Sequence, residues 1–256
     1  MFCFPVETVF PLEKTLFPRD HARFIRSRLC TWRDVISAHS FNQPFDLKPA
    51  STLSFSKLGC NRGGRQLFQN VDCVLEAGRW LYVAGANGVG KTSLLRMVCG
   101  LAPIEAGDIL WNGTPIHAQA DAYRQDLCYL GHLNALQESM TVQENLVFTA
   151  ALGGLAPDAA QTRAVLKQFG VPGREHQLVR HLSQGQKRRV ALSRLALSPA
   201  RLWVLDEPFV AMDEAGVRML ADLIAAHLTQ GGLAVLTSHQ QVDIGTIPAQ
   251  MLELRA

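Results

Sequence analysis

The residues with the clearest chemical potential lie between Gly85 and Thr92, where the chain matches the phosphate-binding pattern G-x-x-x-x-G-K-[ST]. An apolar run, Trp80 to Ala84, comes before this segment, and a helical pattern follows from Lys91 to Cys99. Glycines allow the backbone to curl so that successive N–H groups point at phosphate oxygens, and the start of a helix adds partial positive charge. The sequence therefore predicts a site for a nucleoside triphosphate.

Each position of this loop has an expected contact. Lys91 is expected to bridge the β- and γ-phosphates, Thr92 to offer its hydroxyl to Mg²⁺, and Ser93 to lie near the α-phosphate. The predicted phosphate contacts are Gly85, Ala86, Asn87, Gly88, Val89, Gly90, Lys91, Thr92 and Ser93.

Two acids, Asp206 and Glu207, end a second apolar run that begins near Leu202. Asp206 is suited to hold Mg²⁺ through water, and Glu207 is suited to orient and polarise an attacking water. The alternative is a pair of acids that only caps a loop. Since the chain also carries Lys91 in a phosphate loop, a catalytic pair is the favoured interpretation.

From Leu53 onward, short apolar runs alternate with helical patterns, which predicts an α/β fold with a mainly parallel sheet. In such sheets ligands gather at the carboxyl ends of the strands, so the phosphate loop and the acidic pair are expected at one edge. The predicted strands are Trp80–Ala84, Arg201–Leu205 and Leu233–Thr237, and the predicted helices span 91–99, 158–169, 184–197 and 214–228.

The composition is that of a globular protein. The 256 residues are 48% hydrophobic and 18% charged, with a net charge of +3, and no concentrated basic face suggests nucleic acid as a partner. No apolar run approaches the roughly 18 residues needed to span a bilayer. The cysteines form no C-x-x-C pair, so neither a zinc site nor a disulfide framework is expected.

Residues 1–52 differ from the rest, because prolines interrupt any periodicity. We predict that 1–52 is an N-terminal extension that is disordered or not translated, and that 53–256 is a single nucleotide-binding domain.

A third motif, Leu182 to Gln186, reads L-S-Q-G-Q and precedes the acidic pair. It resembles the signature L-S-G-G-Q of ABC transporter ATP-binding subunits, with Gln184 in place of a glycine. The resemblance implies a P-loop NTPase fold of the ABC type, with a helical signature subdomain, an antiparallel β edge, and ATP and Mg²⁺ as cofactors. It also implies that Ser183, Gly185 and Gln186 contact ATP held by a second copy of the chain.

Three further positions are interpreted through this family. Pro208 to Asp213 resembles the D-loop, and His239 resembles the switch histidine that faces the γ-phosphate. His132 stands where most members carry the Q-loop glutamine, so the resemblance gives it the Mg²⁺-sensing and coupling role, or it is a plain loop residue. The aromatic residue that usually stacks on adenine is absent near Asn61 to Gly64; Arg62 could replace it, or could be a solvated arginine.

Four stretches, spanning 110–113, 131–132, 182–189 and 203–209, are similar to the ATP-binding subunits of haem exporters in cytochrome c maturation. The resemblance implies an ATPase coupled to a CcmB-like multispanning membrane subunit, working with other cytochrome c maturation proteins in haem delivery. It also implies a peripheral position at the cytoplasmic face of the bacterial inner membrane. The alternatives are the ATPase of another small ABC exporter, a soluble ABC ATPase, and a P-loop GTPase or kinase.

Overall fold

The computed structural model describes residues 51–239 and 242–255. The predictions for the N-terminal extension lie outside these residues, except that Thr52 already opens the first strand. The strands are β1 (Thr52–Arg62), β2 (Arg65–Glu76), β3 (Trp80–Ala84), β4 (Ala106–Trp111), β5 (Thr114–Pro115), β6 (Leu127–Leu130), β7 (Leu202–Leu205), β8 (Leu233–Thr237) and β9 (Gln250–Glu253). The α-helices are α1 (Lys91–Val98), α2 (Ala120–Gln125), α3 (Val142–Leu152), α4 (Ala159–Gln168), α5 (Gln184–Ala196) and α6 (Glu214–Thr229).

A parallel sheet forms the centre of the fold, with strand order β6-β7-β8-β3-β9. Every residue of β7 and β8 is buried, which explains why both read as unbroken apolar runs in the sequence. The predicted parallel α/β architecture is confirmed. The three predicted strands lie where expected, and the four predicted helices agree to within two residues at each end.

A second sheet is antiparallel, with strand order β2-β1-β4-β5. A tight turn joins β1 to β2, and Gly63 and Gly64 take positive φ values of 59° and 77° there. Leu53 and Phe55 of β1 belong to the same buried cluster as Leu81 and Val83 of β3, so the two sheets share one core. The predicted antiparallel edge is confirmed.

The helices α3, α4 and α5 pack around a separate apolar cluster, whose buried members are Val142, Leu146, Leu166, Val171, Val179, Leu182 and Val190. Each of these helices begins with a capping box, in which Thr141, Asp158 or Ser183 accepts a backbone N–H of the first turn. This is the predicted helical subdomain. The sequence reasoning had not identified α2 or α3.

No helix within the described ranges is long and apolar enough to cross a bilayer. The cysteines in those ranges, Cys60, Cys73, Cys99 and Cys128, are free.

His227 of α6 is packed behind the central sheet, stacked on Trp203 with ring centroids 3.8 Å apart and an interplanar angle of 5°. Its Nε2 lies 3.1 Å from the carbonyl oxygen of Arg201 and 3.2 Å from that of Leu233, so this nitrogen carries a hydrogen and donates. Burial lowers the pKa of His227 from 6.5 to about 4, and the two carbonyls offset only part of the effect.

This depressed pKa predicts a loss of stability in mild acid. The unfolded chain binds a proton near pH 6.5 and the folded chain only near pH 4, so the free energy of unfolding should fall as pH drops through this range. The full loss is on the order of 3–4 kcal/mol, since the pKa shift spans about 2.5 units and each unit corresponds to about 1.4 kcal/mol. Urea unfolding followed by tryptophan fluorescence between pH 7.5 and 4.5 should show it, and His227→Gln should weaken the pH dependence. The exposed residue His176 provides a matched His→Gln control; equal pH dependence in the two variants would contradict the assignment.

Candidate nucleotide-binding site

The residues predicted to bind phosphate or metal, or to act in catalysis, follow the carboxyl ends of neighbouring parallel strands. The phosphate loop follows β3, His239 comes two residues after β8, and the acidic pair follows β7. His132 comes shortly after β6, the next strand of the sheet. Because adjacent strands lie about 4.8 Å apart, the ends of β3 and β7 are separated by about 10 Å across β8. This edge is therefore wide enough for a triphosphate between the loop and the acids.

Glycines are required at both ends of the phosphate loop. Gly85 has a φ of 142°, and a Cβ there would lie 2.8 Å from the carbonyl oxygen of Leu254 and 2.8 Å from Val89 Cγ1. Gly90 has a φ of 110°, and a Cβ there would lie 3.0 Å from the ring of Phe68. The loop is thus held against β2 and the segment after β9 by contacts that leave no room for side chains.

The loop presents polar groups around a lysine. Lys91 Nζ donates to the carbonyl oxygen of Gly85 at 2.7 Å and lies 3.4 Å from that of Ala86. Val89 is buried in the core and anchors the loop, whereas Ala86, Asn87, Gly88 and Thr92 are exposed and Ser93 is half-buried. Since α1 starts at Lys91 with no acidic residue in its first turn, its positive end faces the loop uncompensated. The arrangement suits an anion with several oxygens.

Thr237 links the two acids, a role that the sequence reasoning missed. Its hydroxyl donates to Asp206 Oδ1 at 2.9 Å and accepts from the backbone N–H of Glu207 at 3.0 Å. Asp206 and Thr237 are both buried, so the hydroxyl is screened from water. A hydroxyl at the end of an otherwise apolar buried strand was the available signal.

Glu207, the second of the two acids, contacts the exposed residue His239. The backbone N–H of His239 donates to Glu207 Oε2 at 3.2 Å, and His239 Nε2 lies 3.4 Å from Glu207 Oε1. The side chain of Glu207 is only 13% exposed, whereas that of His239 is 58% exposed. Tyr82 lies nearby and donates to the carbonyl oxygen of Ser238 at 2.6 Å; burial first, and then the charge of Glu207, raise its pKa. A carboxylate in this position can polarise a water at the mouth of the site.

The signature residues lie on a different part of the chain. Ser183 caps α5: its Oγ accepts from the N–H of Gln186 at 3.2 Å, and Gln186 Oε1 accepts from the N–H of Ser183 at 3.0 Å. The nearest neighbour that a Cβ on Gly185 would meet is the carbonyl oxygen of Ala211, 3.9 Å away in the D-loop. Leu182, the first residue of the signature, is buried in the helical cluster. The phosphate loop is anchored by Val89 in the other core cluster.

The residues expected to hold Mg²⁺ fit that ion in part. Thr92 offers an exposed hydroxyl, and Asp206 offers a carboxylate whose Oδ1 already accepts a hydrogen bond. Within the described ranges no cluster of three or more His, Cys, Asp or Glu side chains could hold a metal alone. Mg²⁺ typically takes one or two protein oxygens together with waters and substrate phosphates, which is what Thr92 and Asp206 can provide. His132 lies exposed in the loop after β6, and an imidazole is a poor match for this ion.

Together the fold and the site define a P-loop nucleotide hydrolase domain, with its phosphate loop after β3 and its acidic pair after β7. The family model described as ABC transporter matches residues 68–210. The chain belongs to the ABC transporter family, and it is an ABC-type ATPase.

Three similar relatives share one description, cytochrome c biogenesis ATP-binding export protein CcmA. The protein from Albidiferax ferrireducens is 88% identical over 210 residues, which are 82% of this chain and 100% of that protein. The protein from Dechloromonas aromatica is 52% identical, over 76% of this chain and 97% of that protein. The Escherichia coli protein is 43% identical, over 79% of this chain and 96% of that protein.

Solved structures agree on the fold. An ABC transporter ATP-binding protein from Pyrococcus furiosus superposes with a TM-score of 0.69 at 24% identity, covering 79% of this chain and 97% of that one. A solved ATP-binding subunit of an ABC transporter gives a TM-score of 0.67 at 25% identity, covering 73% of this chain and 79% of that one.

The hydroxyl of Thr237 is expected to be needed for ATP turnover. Thr237→Val keeps the shape of the side chain but leaves Asp206 Oδ1 and the N–H of Glu207 without their partner, at a cost of about 1–3 kcal/mol for each buried group. We expect kcat for ATP hydrolysis to fall at least about tenfold, since 1.4 kcal/mol is a factor of ten. Thr237→Ser keeps the hydroxyl and is the matched control. Equal kcat in the Val and Ser variants would show that the hydroxyl does not organise the acids.

Proposed function

We propose that this chain is the ATP-hydrolysing subunit of an ABC export complex that serves cytochrome c biogenesis. The observation that carries the proposal is the 88% identity with a CcmA protein, over the whole length of that relative. Residues 53–256 are proposed to form the ABC ATP-binding domain.

The phosphate loop is proposed to bind the triphosphate of ATP. The N–H groups of residues 85–90 surround phosphate oxygens, and Lys91 turns from the carbonyl of Gly85 toward the β- and γ-phosphates. Ser93, half-buried in the first turn of α1, lies next to the α-phosphate. Thr92 and Asp206 would hold Mg²⁺, which, when bound, neutralises charge on the β- and γ-phosphate oxygens. The loop and the start of α1 then orient the γ-phosphate toward Glu207.

Glu207 is proposed to be the general base. Its carboxylate accepts the N–H of His239, which fixes its direction at the mouth of the site. The carboxylate orients a water and takes its proton as the oxygen attacks the γ-phosphorus. His239, 3.4 Å away from the carboxylate, is proposed to contact the γ-phosphate and to keep Glu207 turned toward it.

A second copy of the chain is proposed to complete each site. Ser183 and Gln186 cap α5 through each other, and a Cβ on Gly185 would meet only the carbonyl oxygen of Ala211 at 3.9 Å, so the start of α5 can face another molecule. A helix start with small residues suits the γ-phosphate of ATP held by a neighbouring phosphate loop. Two ATP molecules would therefore join two copies, and hydrolysis would release them.

A CcmB-like multispanning membrane subunit is the proposed partner for transport, at the cytoplasmic face of the bacterial inner membrane, with haem delivery as the purpose. Support comes from the relatives, which are described as export proteins, and from exposed apolar side chains in the loop after β6 and on α3. Leu133, next to His132, is 80% exposed, and Phe148 and Leu152 lie one turn apart on α3 at 54% and 75% exposure. Adjacent exposed apolar side chains, such as the pair on α3, mark interaction surfaces. We propose that His132 senses that contact.

Glu207→Gln is expected to abolish hydrolysis while leaving ATP binding intact. Loss of a general base costs on the order of 100-fold to 10,000-fold in rate. An ATP-bound dimer should therefore accumulate, visible by size-exclusion chromatography with retained nucleotide. Glu214→Gln, at an exposed position on α6, is the matched control and should behave as wild type. Lys91→Ala should form no such dimer, because the triphosphate loses its bridging ammonium. Wild-type turnover in Glu207→Gln would contradict the role of the base.

Deleting the gene should abolish covalent haem attachment to c-type cytochromes, measured by haem staining of membrane fractions. Plasmid copies of the wild type and of Glu214→Gln should restore attachment, whereas Glu207→Gln should not, because the proposed complex depends on hydrolysis. Undiminished attachment in the deletion strain would rule out the assignment to cytochrome c biogenesis. Co-fractionation of the chain with membranes should depend on the membrane subunit, and independence from it would contradict the proposed partner.

A further inference from the structure

A buried arginine on the signature helix contacts the backbone of both acidic residues. Arg188 of α5 is 5% exposed, and its guanidinium contacts two separate segments of the chain, the loop after β6 and the acidic pair. Its acceptors are the carbonyl oxygens of Gly131 (3.2 Å), Asp206 (3.5 Å) and Glu207 (2.8 Å), and the side-chain oxygen of Asn134 (3.3 Å).

None of these contacts is an ion pair. Every acceptor is a neutral carbonyl or amide oxygen, and burial lowers the pKa of Arg188 although the charges of Asp206 and Glu207 raise it. Its Nε has no hydrogen-bond partner among the described residues. A buried charge with incomplete partners is a costly way to hold a helix in place, and an apolar side chain often serves that purpose as well. The contacts therefore suggest a task other than stability.

The contact with Glu207 falls on a strained peptide. Glu207 has a φ of 49°, in the left-handed region that side-chain-bearing residues seldom adopt. Thr237 binds its N–H from one side, and Arg188 binds its carbonyl from the other. Together with the bond that the N–H of Val210 donates to the same carbonyl at 3.3 Å, these hydrogen bonds hold the residue in its left-handed conformation, with its carboxylate next to His239.

Arg188 also connects the two segments that are proposed to contact partners, the loop bearing His132 and the start of α5. Gly131 is adjacent to His132 in the loop after β6, and α5 begins at the signature residue Ser183. A shift of either segment must move the guanidinium, because its planar fork has fixed geometry. The same shift would then loosen or tighten the hydrogen bond to the carbonyl of Glu207.

We propose that Arg188 is a positioning residue that couples the signature helix and the loop bearing His132 to the orientation of Glu207. The proposal rests on the proposed role of Glu207 as the base. When the start of α5 meets ATP on a second copy, Arg188 holds the carbonyl of Glu207 and the carboxylate is directed at the water. When α5 or the loop moves away, the hold is lost and hydrolysis stops.

Arg194 provides a matched control on the same helix. It is also a largely buried arginine, with burial as the first cause of its lowered pKa. Its guanidinium contacts the carbonyl oxygens of Ala191 at 3.0 Å and Asn134 at 3.3 Å, but neither acid. Replacing it should disturb packing as much as replacing Arg188 does, without touching Glu207.

The experiment compares Arg188→Gln and Arg188→Lys with Arg194→Gln in the full-length chain, by thermal melting, ATP affinity, ATP-dependent dimerisation, kcat and KM. We expect kcat of Arg188→Gln to fall at least about 30-fold, since misplacing a reacting group by about 1 Å costs on the order of 100-fold. Its ATP affinity should change less than about twofold, because the phosphate loop is untouched, and an ATP-bound dimer should accumulate. Arg194→Gln should keep kcat within about threefold of wild type. Arg188→Lys retains charge and folding but lacks the fork, so its kcat should lie between these values.

A double variant separates coupling from a general structural effect. If Arg188 acts through Glu207, adding Arg188→Gln to Glu207→Gln should not lower the residual rate further. The proposal would be overturned if Arg188→Gln lowered kcat by the same factor in the Glu207→Gln background as in the wild type. Equal kcat in Arg188→Gln and Arg194→Gln would also overturn it. Should Arg188→Gln fail to fold, the kcat of Arg188→Lys decides, and a wild-type value would count against coupling. A low kcat in Glu207→Gln with normal kcat in the Arg188 variants would contradict the coupling but not the role of the base. Wild-type turnover in Glu207→Gln would contradict the role of the base.

Discussion

The register of β8 between β3 and β7 determines where each chemical group of the site lies. Val83 pairs with Thr237, and Leu236 pairs with Leu205, so each of these strands ends within one residue of its neighbour's end. Only in this register does the hydroxyl of Thr237 reach both Asp206 and the backbone of Glu207. A slip by one residue would turn Thr237 to the opposite face of the sheet and separate the acids from the strand that connects them to the phosphate loop.

Two different apolar clusters support the phosphate loop and the signature helix. Val89 anchors the phosphate loop in the core shared by the two sheets, while Leu182 and Val190 anchor the signature helix in the helical cluster. Hydrogen bonds from Arg188 and Arg194 join the helix to the loop after β6 and, through Arg188, to the acidic pair. The hydrogen bond from Arg188 to the carbonyl of Glu207 joins the signature helix to the acidic pair, and it is the contact proposed to respond when the helix changes position.

Sequence reasoning succeeded where one local pattern carries the information. The apolar runs of β7 and β8 and the glycine spacing of the phosphate loop are properties of consecutive residues, and each was located from them. The helix α3 was missed because apolar residues such as Val142, Val147 and Ala150 surround it on several sides, which weakens the period that marks a helix. Thr237 and Arg188 were missed as site residues because their contacts join positions 31 and 57 residues apart, and no local pattern encodes such a pairing.

The departure from the signature at Gln184 can be understood from backbone geometry. Gln184 is the first residue of α5, is exposed, and is not among the residues with positive φ, so a glycine is not required there by conformation. Gly185 is likewise helical, and a Cβ on it would meet only the carbonyl oxygen of Ala211 at an ordinary 3.9 Å. Nothing within the described part of the chain thus demands a glycine at either position. The absence of a side chain at 185 matters only to a group that approaches the start of α5 from outside, which is the direction from which ATP on a second copy would come.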